Sequence, residues 1–569
     1  MQDNGSTGRE PVTKFPVPGT DSMIVIPLGG TERVGMNATL IGYDGRWLLI
    51  DAGATFPGAD SDRAVEVGEL HEGEVDQIVP DLRRLAPIAD RLDGIVVTHA
   101  HEDHIGALPA LYGFAEAWPR LSRVPLYAGA YARGIIRRKL EEVGGKPMIN
   151  TIAARKPVKI GPFEVTPVRV THSAPETFML AVKTPAATIV FGSDTKLDPN
   201  PVLGRATDTH ELIRLGREGV DAYFGDSTNA AREGRSHSEL EVAQGLEALM
   251  RRHPGRVVVS TFASNLARVA AIAQAARGTE RRLGAFGRTI LNNIETALEV
   301  QVLAKRQIEL VDARHLAQCK PKHAAIVCTG TQAEQGSALM RAVEDLELRR
   351  QGRGLQLSPG DLVVHSARVI PGNEATVAAM FDTMRSHGIT VVEAGKSDAI
   401  VHASGHGPRA ELAEMYRMLR PTFAVPVHGH RELIEAHIDL ARGMKGVRKA
   451  VSPLEGDILR VSKDDVRIVG RIGVGQLAVL SLGGRSSGET KLVAWDNADA
   501  ISLRMRRQDT RQPRPGQRAS APGKPKPQRP AGQRQGHGRK EGNEPRTVVV
   551  TRNKPRRHAH RRPTPAPAM

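Results

Sequence analysis

The chain has 569 residues, 40% of them hydrophobic but only 4% aromatic, so it is long enough for more than one domain and its cores must rest on Val, Leu, Ile and Ala. Its net charge of +16 is uneven: residues 504–569 hold 19 Lys/Arg against 3 Asp/Glu, leaving 60 of each sign elsewhere, so a neutral body carries one basic stretch of the kind that meets polyanions. The two cysteines, Cys319 and Cys328, exclude a disulfide framework and suit a reducing compartment; with no signal-peptide core and no bilayer-length apolar run, a cytoplasmic protein without membrane attachment is expected.

Residues 1–20 are polar and rich in Gly and Pro, and flexibility is expected there. Runs dense in Val, Ile and Leu then predict strands over 23–27, 47–51, 94–98 and 163–170, with a helical pattern over 129–143. This mixture predicts a layered α/β fold. A second series follows: strand 222–224, helix 238–252, strand 257–261, helix 265–277 and strand 324–328. Its alternation suggests a separate doubly wound unit. Residues 401–443 then alternate His-rich loops with strand and helix patterns. From 504 the pattern stops: Pro, Gly, Gln, Arg and Lys dominate and no Phe, Tyr or Trp occurs, so a disordered basic tail is expected.

The densest chemistry is Thr98-His99-Ala100-His101-Glu102-Asp103-His104, directly after an apolar strand and before an apolar helix pattern. Three imidazoles and two carboxylates at a strand end suit zinc and similar divalent ions. Further candidates also follow strands: Asp51, His172 in Val170-Thr171-His172-Ser173, Asp194, and His428 in Pro426-Val427-His428-Gly429. Strand ends are where α/β folds place sites. One such histidine alone is more often structural; the ordered set is what carries weight. His71, His210 and His253 show no ligand spacing and read as surface residues, and the Gly-rich stretch at 470–475 lacks the context of a dinucleotide fingerprint.

These motifs resemble the metal motifs of metallo-β-lactamase-fold nucleases. Gly225-Asp226-Ser227-Thr228-Asn229, Thr261-Phe262-Ala263-Ser264-Asn265, Thr329-Gly330-Thr331-Gln332, Ile370-Pro371-Gly372-Asn373-Glu374 and His402-Ala403-Ser404-Gly405-His406 narrow the resemblance to bacterial ribonuclease J, of the β-CASP branch. The resemblance implies an αββα metallo-β-lactamase sandwich in two parts, 21–215 and 366–480, around an inserted β-CASP α/β domain at 216–365. A short connector at 481–503 would precede the tail.

By position, the resemblance implies two divalent ions, zinc expected and manganese the other candidate. His99, His101 and His172 would hold one, Asp103, His104 and His428 the other, with Asp194 bridging and Asp51 orienting the cluster from behind. Asp194, Asp226 and His406 would serve catalysis by metal-activated hydroxide. Ser366, His402, Ser404 and Gly405 resemble positions that hold an RNA 5′-phosphate. The implied activity is 5′-to-3′ exonucleolytic and endonucleolytic cleavage in RNA processing and decay, with a homodimer and RNA-decay or ribosome-associated proteins as candidate partners. Arg33, His430 and the variant Gly330–Gln335 loop depart from the family pattern without removing a ligand. The alternative is a weakly active or non-catalytic RNA-binding subunit; a small-molecule hydrolase needs neither the second α/β unit nor the basic tail, and His428 favours RNA over DNA.

Overall fold

The computed structural model describes residues 14–56, 75–113, 118–350, 352, 354–370, 372–482, 489–494, 503–506 and 549–551. Strand Met23–Gly29 pairs antiparallel with Ala38–Tyr43, which pairs with Arg46–Ile50. Parallel strands Leu92–Val96, Leu126–Ala128 and Ile149–Thr151 continue this sheet, and Asp457–Val461 and Val466–Arg471 close its other side. A second sheet runs from Val158–Ile160 through Phe163–Val170, Thr177–Lys183 and Thr188–Phe191 to the parallel strands Ala222–Asp226, Phe423–Val427 and Lys449–Ala450.

Alternation along the strands assigns the layers. Met23 and Val25 point between the sheets and meet Phe163, Leu180, Phe191 and Phe224 in one dry core. Ile24 and Ile26 point outward into a core shared with the helices Leu108–Gly113 and Ala130–Val143. On the far face, Val190 and Tyr223 pack under Thr209–Glu218 and Arg409–Leu419. The result is helix, sheet, sheet, helix.

A third sheet is wholly parallel, in the order Arg282–Phe286, Ala324–Cys328, Val257–Ser260, Leu362–His365, Thr390–Glu393. Helices Glu239–Arg252 and Leu266–Gly278 belong to it; their N-caps, Ser238 and Asn265, are the residues at which the sequence pattern begins them.

Hydrogen bonding redraws three sequence expectations. Ala222–Asp226 pairs within the sandwich, not with the second series, because apolar strands of both sheets look alike in sequence. Thr390–Glu393 joins the inserted sheet, so we propose an inserted unit from about Glu239 to Glu393 in place of 216–365. Gln476–Leu482 and Glu489–Ala494, expected as the end of the sandwich and a connector, form a hairpin that pairs with Val75–Pro80. Leu503–Arg506 and Val549–Thr551 pair at the edge of that small sheet, and the rest of 504–569 lies outside the described residues. At the other end, 1–13 lie outside them too, while Phe15 sits edge-on against Trp47, so 14–20 are anchored rather than free. Among the described residues no helix is long and apolar enough to cross a membrane.

Candidate metal centre

Every candidate ligand leaves a strand end of the sandwich. Asp51 follows Arg46–Ile50 at φ 58°, His428 follows Phe423–Val427 at φ 55°, and Ser193, beside Asp194, has φ 50°. These left-handed turns are strained for residues other than glycine, and they aim the adjoining side chains inward. His101 precedes the short helix Glu102–Ile105, whose turn presents Asp103 and His104 together. Gly53 permits the close fit behind them: a Cβ there would stand 1.7 Å from the Asp103 carbonyl oxygen. Glu102 turns away and pairs with Lys139 at 2.5 Å.

The side chains converge from residue 51 to residue 428. His99 Nε2 lies 3.1 Å from His101 Nδ1, which lies 3.0 Å from His172 Nε2; both Nε2 atoms are 3.6 Å from Asp194 Oδ2. Four donors held tetrahedrally at about 2.0–2.1 Å from a zinc ion would stand roughly 3.3 Å apart, so this set fits one. Asp194 Oδ1 is 3.1 Å from both His104 Nε2 and His428 Nδ1, and Asp103 Oδ2 is 3.5 Å from His104 Nε2. His428 Nε2 is buried 3.4 Å from Asp103 Oδ2, so this ring stands between Asp103 and Asp194, a donor set of imidazole and carboxylate that suits a divalent cation. Ligand atoms come within 4.8 Å of one another in three overlapping groups: His99, His101, His172 and Asp194; His99, Asp103, His104 and Asp194; and Asp194, Asp226, His406 and His428. Asp194 is common to all. The expected second set is spread over the last two.

Hydrogen bonds behind the cluster set the tautomers. His172 Nδ1–H donates to the Gly405 carbonyl at 2.7 Å, and His104 Nδ1–H donates to Asp51 Oδ2 at 2.7 Å, so each ring turns its Nε2 inward. Thr98 passes its hydroxyl proton to Asp51 and lies 3.1 Å from His99 Nδ1. Gly405 has to be small, since a Cβ would lie 2.5 Å from the His172 ring.

Charge divides the cluster. Burial lowers His99, His101 and His172, the last to about 3. Burial also opposes protonation of His104 and His428, but Asp194 and the neighbouring carboxylates outweigh it and hold both well above the ordinary imidazole value. Asp194 is held far below the carboxylate range: burial would raise it, and His104, His428 and His406 overcome that. His406 Nδ1–H donates to Asp226 at 2.7 Å and is likewise raised against burial, by Asp226 and Asp194.

Of the expected phosphate residues, Ser404 accepts from Asn229 Nδ2 at 2.8 Å and from the His406 amide at 3.1 Å, and among the described residues no acceptor takes its hydroxyl proton. His402 Nδ1 lies 3.3 Å from Arg268 Nη1, and its ring also hydrogen-bonds the Ser366 backbone. Both line a cavity of about 740 Å³ rimmed by Arg232, Arg235 and Arg368. Ser366 differs: it is buried, donates to the Val401 carbonyl and accepts from Arg268, so its proton is already used.

Sequence reasoning missed the fully buried Arg268, Lys196 and His437 and the buried Asn229, Glu239 and His365. Arg268 had a signal: it is the charge within the otherwise apolar first turns of Leu266–Gly278, and a charge there must be paired. His437 continues the buried Ile434, Ala441 stripe and bonds Ser227 Oγ at 2.9 Å and Tyr416 Oη at 3.0 Å. His365 is buried on the Thr331 carbonyl; of the histidines expected at the surface, His210 is exposed, His253 half-buried on the Gly360 carbonyl, and His71 lies outside the described residues. Arg33 pairs with Glu455 at 2.7 Å. Gln332 stitches its loop to 368–370 through the Arg368 carbonyl and the Ile370 amide.

A four-layer sandwich with a buried His/Asp cluster at its strand ends defines a metallo-β-lactamase-fold, metal-dependent hydrolase. Comparison with known families agrees: a beta-lactamase superfamily domain matches residues 46–260, the ribonuclease J beta-CASP domain 254–384, and a Zn-dependent metallo-hydrolase RNA specificity domain 394–453. Ribonuclease J of Sinorhizobium meliloti is 33% identical over 456 residues, 79% of this chain and 76% of that one. Ribonuclease J of Mycobacterium tuberculosis is 34% identical over 469 residues, 82% and 80% respectively. A protein of unknown function from Enterococcus faecalis V583, 18% identical, superposes with a TM-score of 0.52 over 77% of this chain and all of that one, a likeness of fold. The chain belongs to the ribonuclease J family and is a metal-dependent nuclease whose substrate is RNA.

Proposed function

We propose that the protein hydrolyses RNA phosphodiester bonds at the Asp194 cluster, stepwise from a 5′-monophosphorylated end, with internal cutting as a second activity in RNA processing and decay. One observation carries the reading. The segment 402–406 supplies His402 and Ser404, which line the cavity, and also His406, which touches the cluster. Two residues of chain span at most about 7 Å, so a phosphate held at Ser404 leaves the next one beside His406.

His99, His101 and His172 would hold one cation, Asp103, His104 and His428 a second, and Asp194 would bridge; zinc suits the imidazoles, with manganese the alternative. Bound there, two divalent cations supply an acidified water and neutralise phosphate charge. Asp226 holds His406 protonated and oriented, with Nε2 3.8 Å from Asp194 Oδ2, where it can meet charge developing on the phosphate or its leaving 3′-oxygen. Asp51 fixes the His104 tautomer.

Time-resolved product analysis on one RNA bearing a 5′-monophosphate, a 5′-triphosphate or a 5′-hydroxyl tests this. Early nucleoside 5′-monophosphate from the monophosphorylated RNA is expected. Internal fragments alone, identical for all three ends, would reject the stepwise reading. We further propose that the basic stretch 504–569 adds RNA affinity by neutralising phosphates. Its deletion should weaken binding and flatten the salt dependence; unchanged slopes would reject it.

A further inference from the structure

Arg268 is fully buried and spans both domains. Its Nε and Nη2 form a fork on Glu239, at 2.8 and 2.9 Å. Nη1 donates to Ser366 O at 2.8 Å and Ser366 Oγ at 2.7 Å and lies 3.3 Å from His402 Nδ1, and Nη2 reaches the Ala403 carbonyl at 3.2 Å. Glu239 in turn stands 3.9 Å from the buried Lys196 ammonium, two residues beyond Asp194. One guanidinium thus gathers the strand end at Ser366 and the loop 402–403, and a carboxylate and an ammonium link it to the metal loop.

The placement has a chemical consequence. The guanidinium lies 3.3 Å from His402 Nδ1, and ring and guanidinium both hydrogen-bond the Ser366 carbonyl, so Arg268 fixes where the ring stands at the cavity wall. Burial, with Arg268 beside it, pushes His402 down to about 3, so the ring stays uncharged across the physiological range. Ser366 is satisfied by Arg268 and the Val401 carbonyl, and so acts beneath the pocket rather than in it.

We propose that Arg268 is a positioning residue for recognition of the RNA 5′-phosphate: through His402 and the 402–403 backbone it sets the donors that read the end, while the hydrolytic cluster stands without it. This rests on the 5′-end reading above. A purely structural staple would, when lost, impair all substrates alike.

The test compares wild type, Arg268→Lys and, should the lysine variant fail to fold, Ser366→Ala. Each is assayed on 5′-monophosphorylated RNA, on the same RNA with a 5′-hydroxyl, and on bis(p-nitrophenyl) phosphate, with metal content and melting temperature recorded. Lysine keeps the charge but cannot hold the planar fork. Expected is a loss of about 10–100-fold in kcat/KM on the monophosphorylated RNA, carried chiefly by KM, with the small diester and metal content changed by less than about twofold. The preference over the 5′-hydroxyl RNA should collapse toward one. Equal losses on all three substrates, or an intact preference in the variant, would overturn the role of Arg268 alone. A wild type that shows no preference between the two ends would overturn the 5′-end reading, and this inference with it.

Discussion

On one side of Asp194 stand His99, His101 and His172; on the other stand Asp103, His104 and His428, with Asp226 and His406 behind them. The first group is nearly all nitrogen, and burial keeps its rings neutral, His172 down to about 3. The second alternates carboxylate and imidazole, and its carboxylates hold His104 and His428 protonated against burial. A cation entering the first group therefore displaces no proton, whereas one entering the second displaces protons from His104 and His428. Two adjacent sites that share Asp194 are thus set to load differently because the remaining carboxylates lie on one side.

The residue common to both sides offers the sharpest way to break this contrast. Asp194→Ala should lower RNA cleavage by roughly 10²–10³-fold or more and reduce bound metal on both sides. A variant that kept one full metal equivalent would show that Asp194 serves a single site. Next in size is Asp51→Asn, which disturbs the His104 tautomer and leaves His101 and His172 alone. Weakening by about 10–100-fold is expected for one of the two metals. Equal weakening of both, read by metal titration, would erase the distinction.

Acidification should sharpen it at smaller cost. Each proton displaced makes apparent affinity change about tenfold per pH unit below the folded pKa. The second metal should therefore weaken as pH falls toward 6 while the first holds. The metal-free protein carries the opposite sign. Raised His104 and His428 stabilise the fold fully below the unfolded imidazole value and cease to do so as pH rises through their folded values. Chelated protein should lose melting temperature on the alkaline side, and metal-loaded protein should not; parallel curves would refute the assignment.

The ligands were legible in sequence because each ends an apolar strand and three lie within one short run. The fold class followed from the same strands and from the family motifs around Asp226, His406 and His428. The supporting layer was not legible. Asn229 meets Ser404 across 175 residues, and Arg268 meets Ser366 across 98, so no local spacing announces either pair. Ser366 looked like a phosphate donor because a hydroxyl's partners cannot be read from its type. Ala222–Asp226 was grouped with the wrong sheet because its five buried residues fit any central parallel strand.

The left-handed backbone at Asp51, Ser193 and His428 bears on how this scaffold would respond to engineering. Each such residue costs on the order of 1 kcal/mol relative to glycine. A search for heat tolerance alone would drift toward glycine at these strand ends and deliver a sturdier, inert sandwich. Selections aimed at thermostability should hold these three positions fixed.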